Sequence, residues 1–431
     1  RGDRASLEAA SRVGDWVVKT YSPIEDGRFL RGGIGFTNIA VIGQLMRLHR
    51  HTGNEDLAGF VGEVIEGCQP IQQMLSTGEP FLTHPYMLSA VLLGVVEYAQ
   101  VTEDHRMLAT VEQVWDGLVE DHLFPTGSLG NREDLQDGPL KDVPDAQMQE
   151  TCATTEWIFL TQRLYEMTGR AKYVEGLEKT AYNALLAAQS ADGMKWCYYT
   201  PLRYSKHFFH GPTRCCFWSG PRGIARLPQL IYATLATDGG TVQVVQDSEF
   251  PGIGKSTVTL NTPSGWTGTL RVRVPSWASD FQAKLNGSVA PNRGTVEGYC
   301  DINLPESKEH RIEIQFDIPL ALEHLSEDDY ALRRGPEVLS IDMRDNIDTW
   351  LGAHDDLISI PENVAFKPID LAQRYQWPGP IEPLGNRRRY RVDLNDRRAS
   401  ELLTFIFTPY ADAGNEGAAF RTVFPLAREE E

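Results

Sequence analysis

The chain has 431 residues, 41% hydrophobic and 23% charged, the balance of a folded globular protein and not of a disordered or fibrous one. Its formal net charge of −18, with no Lys/Arg cluster, argues against a nucleic-acid partner, and no apolar run reaches membrane-spanning length. Six cysteines are too few for a disulfide scaffold at this length, and Arg387 to Arg389, the densest basic run, reads as a solvated turn. The length suggests about three domains. The first residue is Arg1, with no secretory signal near it, so the expectation is that processing or truncation has removed the true start.

From Ser6 to about Ala236 apolar residues recur at three and four spacing between short polar or glycine-containing breaks, which predicts helices. The segments "TNIAVIGQLMRLHRHTGNEDL", "HPYMLSAVLLGVVEYAQVTEDHRML" and "ETCATTEWIFLTQRLYEMTGRAKYV" resemble one another. Each runs an amphipathic helix into a Thr-centred break, at Thr52-Gly53, Thr102-Glu103 and Thr168-Gly169, and then into a second helix. This is a degenerate helical-hairpin repeat of the kind that closes into an α/α toroid.

After Asp238 the pattern changes to alternation. "TVQVVQ", "STVTLNT", "GTLRVRVPSW", "CDINL" and "HRIEIQF" read as short strands between turn residues, and "EVLSIDM", "YRVDL" and "LLTFIFTPY" mark a second β-rich block from about Tyr330. The predicted class is multi-domain α+β, an α/α toroid followed by two β-sandwiches. The domains are placed at 1–236, 237–328 and 329–414, with the final strand near 415–431 available to join the first sandwich.

Chemistry concentrates in the helical half. Glu150-Thr151-Cys152 stands at the first turn of a predicted helix, where an acidic residue also suits the helix dipole and a cysteine also suits a core. Cys215 and Cys216 adjoin on a glycine- and proline-rich stretch, "HGPTRCCFWSGPRGIARLP", predicted to be a loop leading into a short helix. Vicinal thiols left reduced on a loop are readily oxidised, and a metal would account for them. Glu133 lies in the glycine-rich loop "TGSLGNREDLQDG"; His84 opens a helix; Tyr198 and Tyr199 sit in "CYYTPL"; His207 and His210 precede the cysteine pair. Each alone is more commonly a packing, capping or solvated residue than a ligand contact.

Together, "ETCA" downstream of Gly-Ser-x-Gly-x-x-Glu, "YxxPL", and "CC" followed by "GPR" resemble the β-L-arabinofuranosidases of glycoside hydrolase family 127 and its relatives. In the β half "RVRVPSWA", "LNG", "RRGPEVLSID", "DN" and "PYADAGNEG" resemble the same family. The resemblance implies a Zn2+ cofactor held by Glu150, Cys152, Cys215 and Cys216, with Cys215 also the nucleophile. It makes Glu133 the acid/base and places His84, Tyr198 and Glu150 against the sugar. It further implies a longer helical region before Ser6 to Glu66, so that the toroid is incomplete here and is finished by a missing segment, a second chain or a homo-oligomer. Two positions depart from the family: Thr200 replaces Asn in "YxNPL", and "FWSGPRG" stands where "PPN" is common.

The chemistry of the reaction that the resemblance implies can be argued without the family. A furanoside leaves through an oxocarbenium-like transition state, so a retaining enzyme needs a nucleophile on one face and a proton donor on the other. A free thiol with pKa about 8.5 is mostly protonated at neutral pH, and zinc would deprotonate it. Two other readings stand beside it: a non-catalytic carbohydrate-binding protein in which the same four residues hold a structural zinc, and, on fold analogy alone, a polysaccharide lyase or epimerase on an α/α toroid. The sequence leaves the sugar open, and the compartment open between cytoplasm and periplasm.

Overall fold

The structure is a computed structural model that describes residues 3–24, 28–31, 38–135, 148–209, 215–232, 240–290, 298–325, 329–350, 358–359, 367–368, 389–396 and 401–425. It is a mixed helix and sheet protein. Helices occupy the first half: α1 (Arg4–Tyr21), α2 (Arg28–Arg31), α3 (Ile42–Thr52), α4 (Glu55–Gly67), α5 (Gln69–Thr77), α6 (Pro85–Val101), α7 (His105–Asp121), α8 (Thr151–Thr168), α9 (Ala171–Thr180) and α10 (Cys215–Ile224). A further helix, α11 (Met343–Trp350), lies within the β-rich half.

The three repeated breaks form as their sequences predict. Gly53 (φ 68°) ends α3 and Gly169 (φ 68°) ends α8, both in the left-handed conformation that glycine adopts without a Cβ clash. In the middle repeat Glu103 takes that conformation at φ 55°, and the Asp104 carboxylate then accepts the Met107 N–H at 2.8 Å to start α7.

The helices stack by polarity. α6 and α8 are buried around most of their circumference, while α7 and α9 are amphipathic and pack on their outer sides. Trp115 of α7 stacks on Trp157 of α8 at 5.6 Å, meets Tyr173 of α9 edge-on at 4.7 Å, and donates its indole N–H to Thr161 at 3.0 Å. One aromatic residue thus fixes three helices.

The β half contains two sheet systems. Strands in the order 288–289, 279–285, 309–317, 255–261 and 243–248 form an antiparallel sheet, and strands 268–273 and 299–304 form a second pair. They share one apolar cluster that includes Val258, Leu260, Cys300, Ile302 and Ile312. A ten-stranded sheet follows, with 320–324, 329–334, 337–342, 401–409, 390–396 and 358–359 along its main path. The closing strands differ from the sequence-based placement. Phe420–Arg421 pairs with Glu337–Asp342, and Val423–Pro425 with Asp329–Arg334, so residues 420–425 join this second sheet. The reason is tertiary: "PYADAGNEG" carries the chain from 401–409 across to the other side of 337–342, the strand with which both 401–409 and 420–421 pair.

Asp342 fastens that turn. Its carboxylate, fully buried, takes Arg344 at 2.7 Å and the Gly414 N–H at 2.9 Å, while Asn346 bonds the Asp342 and Ile406 carbonyls at 2.7 and 2.9 Å. Burial pushes this carboxyl up, but Arg344 and the Gly414 N–H outweigh it and hold the group below the usual carboxylate range. A depressed carboxyl contributes stability above its unfolded pKa of about 4 and loses it as pH falls through the lower folded value. Asp342→Ala should therefore cost about 3 kcal/mol in denaturant unfolding at pH 7. The gap from wild type should narrow below pH about 4.

Candidate active site

Three helix starts converge at one end of the helical half. At the first, His84 caps α6 by accepting the Tyr86 N–H on Nδ1 at 3.2 Å, which assigns its own proton to Nε2. That nitrogen faces Glu133 Oε2 at 3.7 Å and Glu150 Oε2 at 3.6 Å. Burial lowers the His84 pKa. The neutral ring is then an N–H donor aimed between two carboxylates.

Glu133 is presented by a tight two-residue turn. Asn131 and Asp134 exchange backbone hydrogen bonds at 2.9 and 3.0 Å, and between them Arg132 (φ 51°) and Glu133 (φ 71°) are both left-handed. This is the backbone pattern that hairpins usually reserve for Asn-Gly. Gly130, at φ 79°, precedes the turn, and a Cβ there would stand 2.2 Å from Pro85 Cγ. Only glycine lets this loop close onto the start of α6, which brings Glu133 to His84.

The second helix start is α8. The two-residue strand Gln149–Glu150 pairs antiparallel with Tyr199–Thr200, and the Thr151 N–H donates to the Tyr198 carbonyl at 3.0 Å. Glu150 is the N-cap of α8 but makes no capping hydrogen bond, because its side chain turns toward sulfur. The third start is α10, whose first turn carries Cys215 and Cys216. A Cβ on Gly220 would fall 2.1 Å from the Trp196 ring, so glycine is what allows α10 to lie this close.

The resulting cluster is compact. Cys216 Sγ lies 3.4 Å from Cys152 Sγ and 3.6 Å from Glu150 Oε1, and Cys215 Sγ lies 4.0 Å from the same oxygen. All four donor atoms fall within 4.8 Å of one another, a grouping that can hold a metal ion. Tyr198 and Tyr199 both donate to Glu133 Oε1, at 2.6 and 2.9 Å, and the Tyr198 hydroxyl also stands 3.9 Å from Cys215 Sγ.

Crowding of acids dominates the electrostatics. Burial, then the Cys152 and Glu133 charges, push the Glu150 carboxyl up to about 9, and Glu150 Oε2 is buried without a hydrogen-bond partner. The hydrogen bond from Cys216 draws Cys152 down to about 6, with Ser219 adding a second at 3.1 Å. Cys216 moves up for the same contact, and burial raises Cys215. The protein alone cannot ionise all four groups together, which is the charge pattern expected where a cation belongs.

The family model for the β-L-arabinofuranosidase GH127 catalytic domain matches residues 1–229, and that for the GH127 middle domain matches residues 228–318. The chain belongs to glycoside hydrolase family 127. It is 22% identical to the non-reducing end β-L-arabinofuranosidase of Bifidobacterium longum subsp. longum, over 98% of this chain and 75% of that protein. Among solved structures it resembles a GH127 β-arabinofuranosidase (TM-score 0.81, 21% identity, covering 99% of this chain and 74% of the other). It also resembles a GH127 β-L-arabinofuranosidase from Geobacillus stearothermophilus (TM-score 0.75, 18% identity, 99% and 81%). Members of family 127 are glycoside hydrolases, and so is this chain.

Within this GH127 chain the structure gathers Glu150, Cys152, Cys215 and Cys216 into one group, and His84, Glu133 and Glu150 into an adjoining one. One local expectation is corrected. Cys215 and Cys216 are not on a loop but in the first turn of α10, because Gly220 and Gly223 allow a helix to pack where their spacing suggested a turn. His207 is exposed and belongs to neither metal-competent group, and His210 lies outside the described residues. Ser219 escaped notice in the sequence. Its signal was a three-residue spacing from Cys216, visible only once the segment is known to be helical.

The left-handed Arg132 is exposed and its conformation costs about 1 kcal/mol relative to glycine. Arg132→Gly should raise the midpoint of thermal unfolding while leaving hydrolytic turnover within about twofold, since Glu133 keeps its position. A lower midpoint would show that the turn holds no strain.

Proposed function

We propose that this chain is a retaining glycosidase that cleaves a furanoside, a β-L-arabinofuranoside first among candidates, with Cys215 as nucleophile and Glu133 as acid/base. The observation that carries the reading is the Tyr198 hydroxyl, 2.6 Å from Glu133 and 3.9 Å from Cys215. The two reacting groups can be no farther apart than those contacts combined. That bound excludes almost all of the roughly 6.5–9.5 Å range of an inverting pair and admits the roughly 5–5.5 Å of a retaining one. Cys215 is also the exposed sulfur of the cluster, whereas Cys152 and Cys216 are buried.

The donor set fits zinc. Tetrahedral bonds of about 2.3 Å to sulfur and about 2.1 Å to oxygen imply donor separations of about 3.5–3.8 Å. The contacts of 3.4, 3.6 and 4.0 Å bracket that range. Glu150, Cys152, Cys215 and Cys216 would hold the ion, and it would keep the Cys215 sulfur deprotonated at neutral pH.

The protein's own groups then divide the work. Glu133 protonates the departing glycosidic oxygen as the Cys215 sulfur bonds to the anomeric carbon and the C–O bond breaks. The resulting carboxylate takes a proton from water, whose oxygen displaces the sulfur and restores the original configuration. Tyr198 and Tyr199 fix the Glu133 carboxyl by donating to one oxygen, and His84 offers its Nε2–H to a sugar hydroxyl. Glu150 directs Oε1 at the sulfurs and Oε2 toward the His84 Nε2–H at 3.6 Å, beside the position proposed for the sugar. On this reading the helices at 1–236 form the α/α toroid, and β-sandwiches at 237–328 and 329–414 buttress it.

Product stereochemistry by NMR on an aryl β-L-arabinofuranoside should show retention, with about one zinc per chain by elemental analysis. Cys215→Ser should fall to the background rate, and near-normal turnover in that variant would overturn the assignment. Glu133→Gln should slow an alkyl furanoside about 10²–10⁴-fold, but slow a p-nitrophenyl furanoside much less in the glycosylation step, because that leaving group needs no proton. Equal losses on both substrates would remove Glu133 as the acid.

A further inference from the structure

A cavity of about 340 Å³ lies away from the thiol cluster, among the second halves of α3, α6 and α8 and the turn after α10. Its wall sets Arg47, Arg50, Arg163 and Arg226 against two carboxylates, Glu97 and Glu166. Among the lining side chains guanidinium groups outnumber carboxylates by two, an excess that buried Glu156, beside Arg47 and Arg226, offsets in part, in a chain whose formal net charge is −18.

The two acids are already engaged. Glu97, 1% exposed at its side chain, accepts Arg50 at 3.0 Å and Arg163 at 3.1 Å, with Arg47 at 3.8 Å, and Glu166 takes Arg163 at 3.2 Å. Arg226 donates to the neutral Gln229 amide at 3.0 Å and lays its guanidinium over Phe159 at 4.9 Å. Arg163 has a side chain only 8% exposed, and its Nε is buried without a hydrogen-bond partner. Burial lowers the Arg47 pKa, and the neighbouring Arg226 and Arg163 charges act in the same direction against Glu97 and Glu156. Guanidinium groups held together in excess, one with an unused buried N–H, make a receptor for oxygen anions.

We infer that this cavity binds a small oxyanion: phosphate, sulfate or the carboxylate of an acidic sugar. The inference stands apart from the proposed hydrolysis. Cys152, Glu156, Phe159 and Arg163 recur on one face of α8 at spacings of four, three and four, so Arg163 lies about 16 Å down the helix axis from Cys152. A group in this cavity is not the sugar being cleaved.

The test is calorimetric titration of the full chain with sodium phosphate, sodium sulfate and sodium galacturonate, against sodium chloride at matched ionic strength. Saturable binding of at least one of the three is expected, weakened at least tenfold in Arg47→Gln and in Arg226→Gln. Binding by phosphate or sulfate alone identifies a free inorganic ion as the occupant, and binding by galacturonate alone identifies a sugar acid. Absence of saturable binding, heat reproduced by chloride, or unchanged affinity in both variants overturns the site. Both variants should keep wild-type turnover on an aryl furanoside, so failure here is separable from failure of the glycosidase reading.

Discussion

The constraint on which the rest of the helical half depends is the crowding of one carboxyl and three thiols within 4.8 Å. Such a group is unfavourable unless something positive compensates it, and the fold supplies part of that compensation directly. Glu150 and Cys152 sit at the start of α8, and Cys215 and Cys216 at the start of α10. The positive ends of two helix dipoles therefore point at the same small volume, and each favours an ionised ligand by roughly 0.3–1 kcal/mol or more when partly buried. A helix start brought this close must be held by packing. α10 is held through Gly220 against Trp196, and α8 through the strand pairing of Glu150 with Tyr199.

That pairing draws the second sheet into the site. The segment that delivers Tyr198 and Tyr199 continues through Pro201, Leu202 and Lys206, and each of these is gripped from the β half. The Tyr410 hydroxyl donates to the Pro201 carbonyl at 2.7 Å, and the Thr422 N–H donates to the Leu202 carbonyl at 3.0 Å. Lys206, 2% exposed, donates to the Tyr410 and Ala411 carbonyls at 3.0 Å each. Gln149 closes the loop by donating to the Tyr410 hydroxyl at 3.3 Å. Residues more than two hundred positions apart thereby fix the tyrosines that hold Glu133. The β half is part of the site's framework, although it supplies no group to the metal-competent cluster among the described residues.

Much of this was legible because it rests on local rules. The three helical hairpins could be read from periodicity and from Thr-centred breaks, and the cluster from the types and spacing of its cysteines together with a family resemblance. What was not legible depends on approach distances. The helix at Cys215 is hidden by Gly220, Pro221 and Gly223, residues whose local preference is a turn and whose real role is to let two elements touch. The final strands pair with the second sheet for a tertiary reason, the Asp342 bonds that close "PYADAGNEG". The tight turn at Arg132 and Glu133 contradicts its own sequence preference. Such local conflicts concentrate at functional sites, where position matters more than comfort.

The polarity of α8 ties the two ends of the helical half together. Glu150 and Cys152 stand at its N-terminus, where a helix dipole favours negative charge as it favours positive charge at the other end, while Arg163 lies in its second half, short of a last turn that carries Glu166. α3 follows the same rule with His49, Arg50 and His51 in its last turn. Each helix terminus offers only about half a unit of opposing charge, so carbonyl ends alone cannot neutralise the guanidinium groups collected there. Glu97 and Glu166 balance two of the four arginines, buried Glu156 offsets part of the rest, and the remaining excess faces a space large enough for an anion. On the proposed readings the acidic cluster would take a cation, and the arginine cavity an anion.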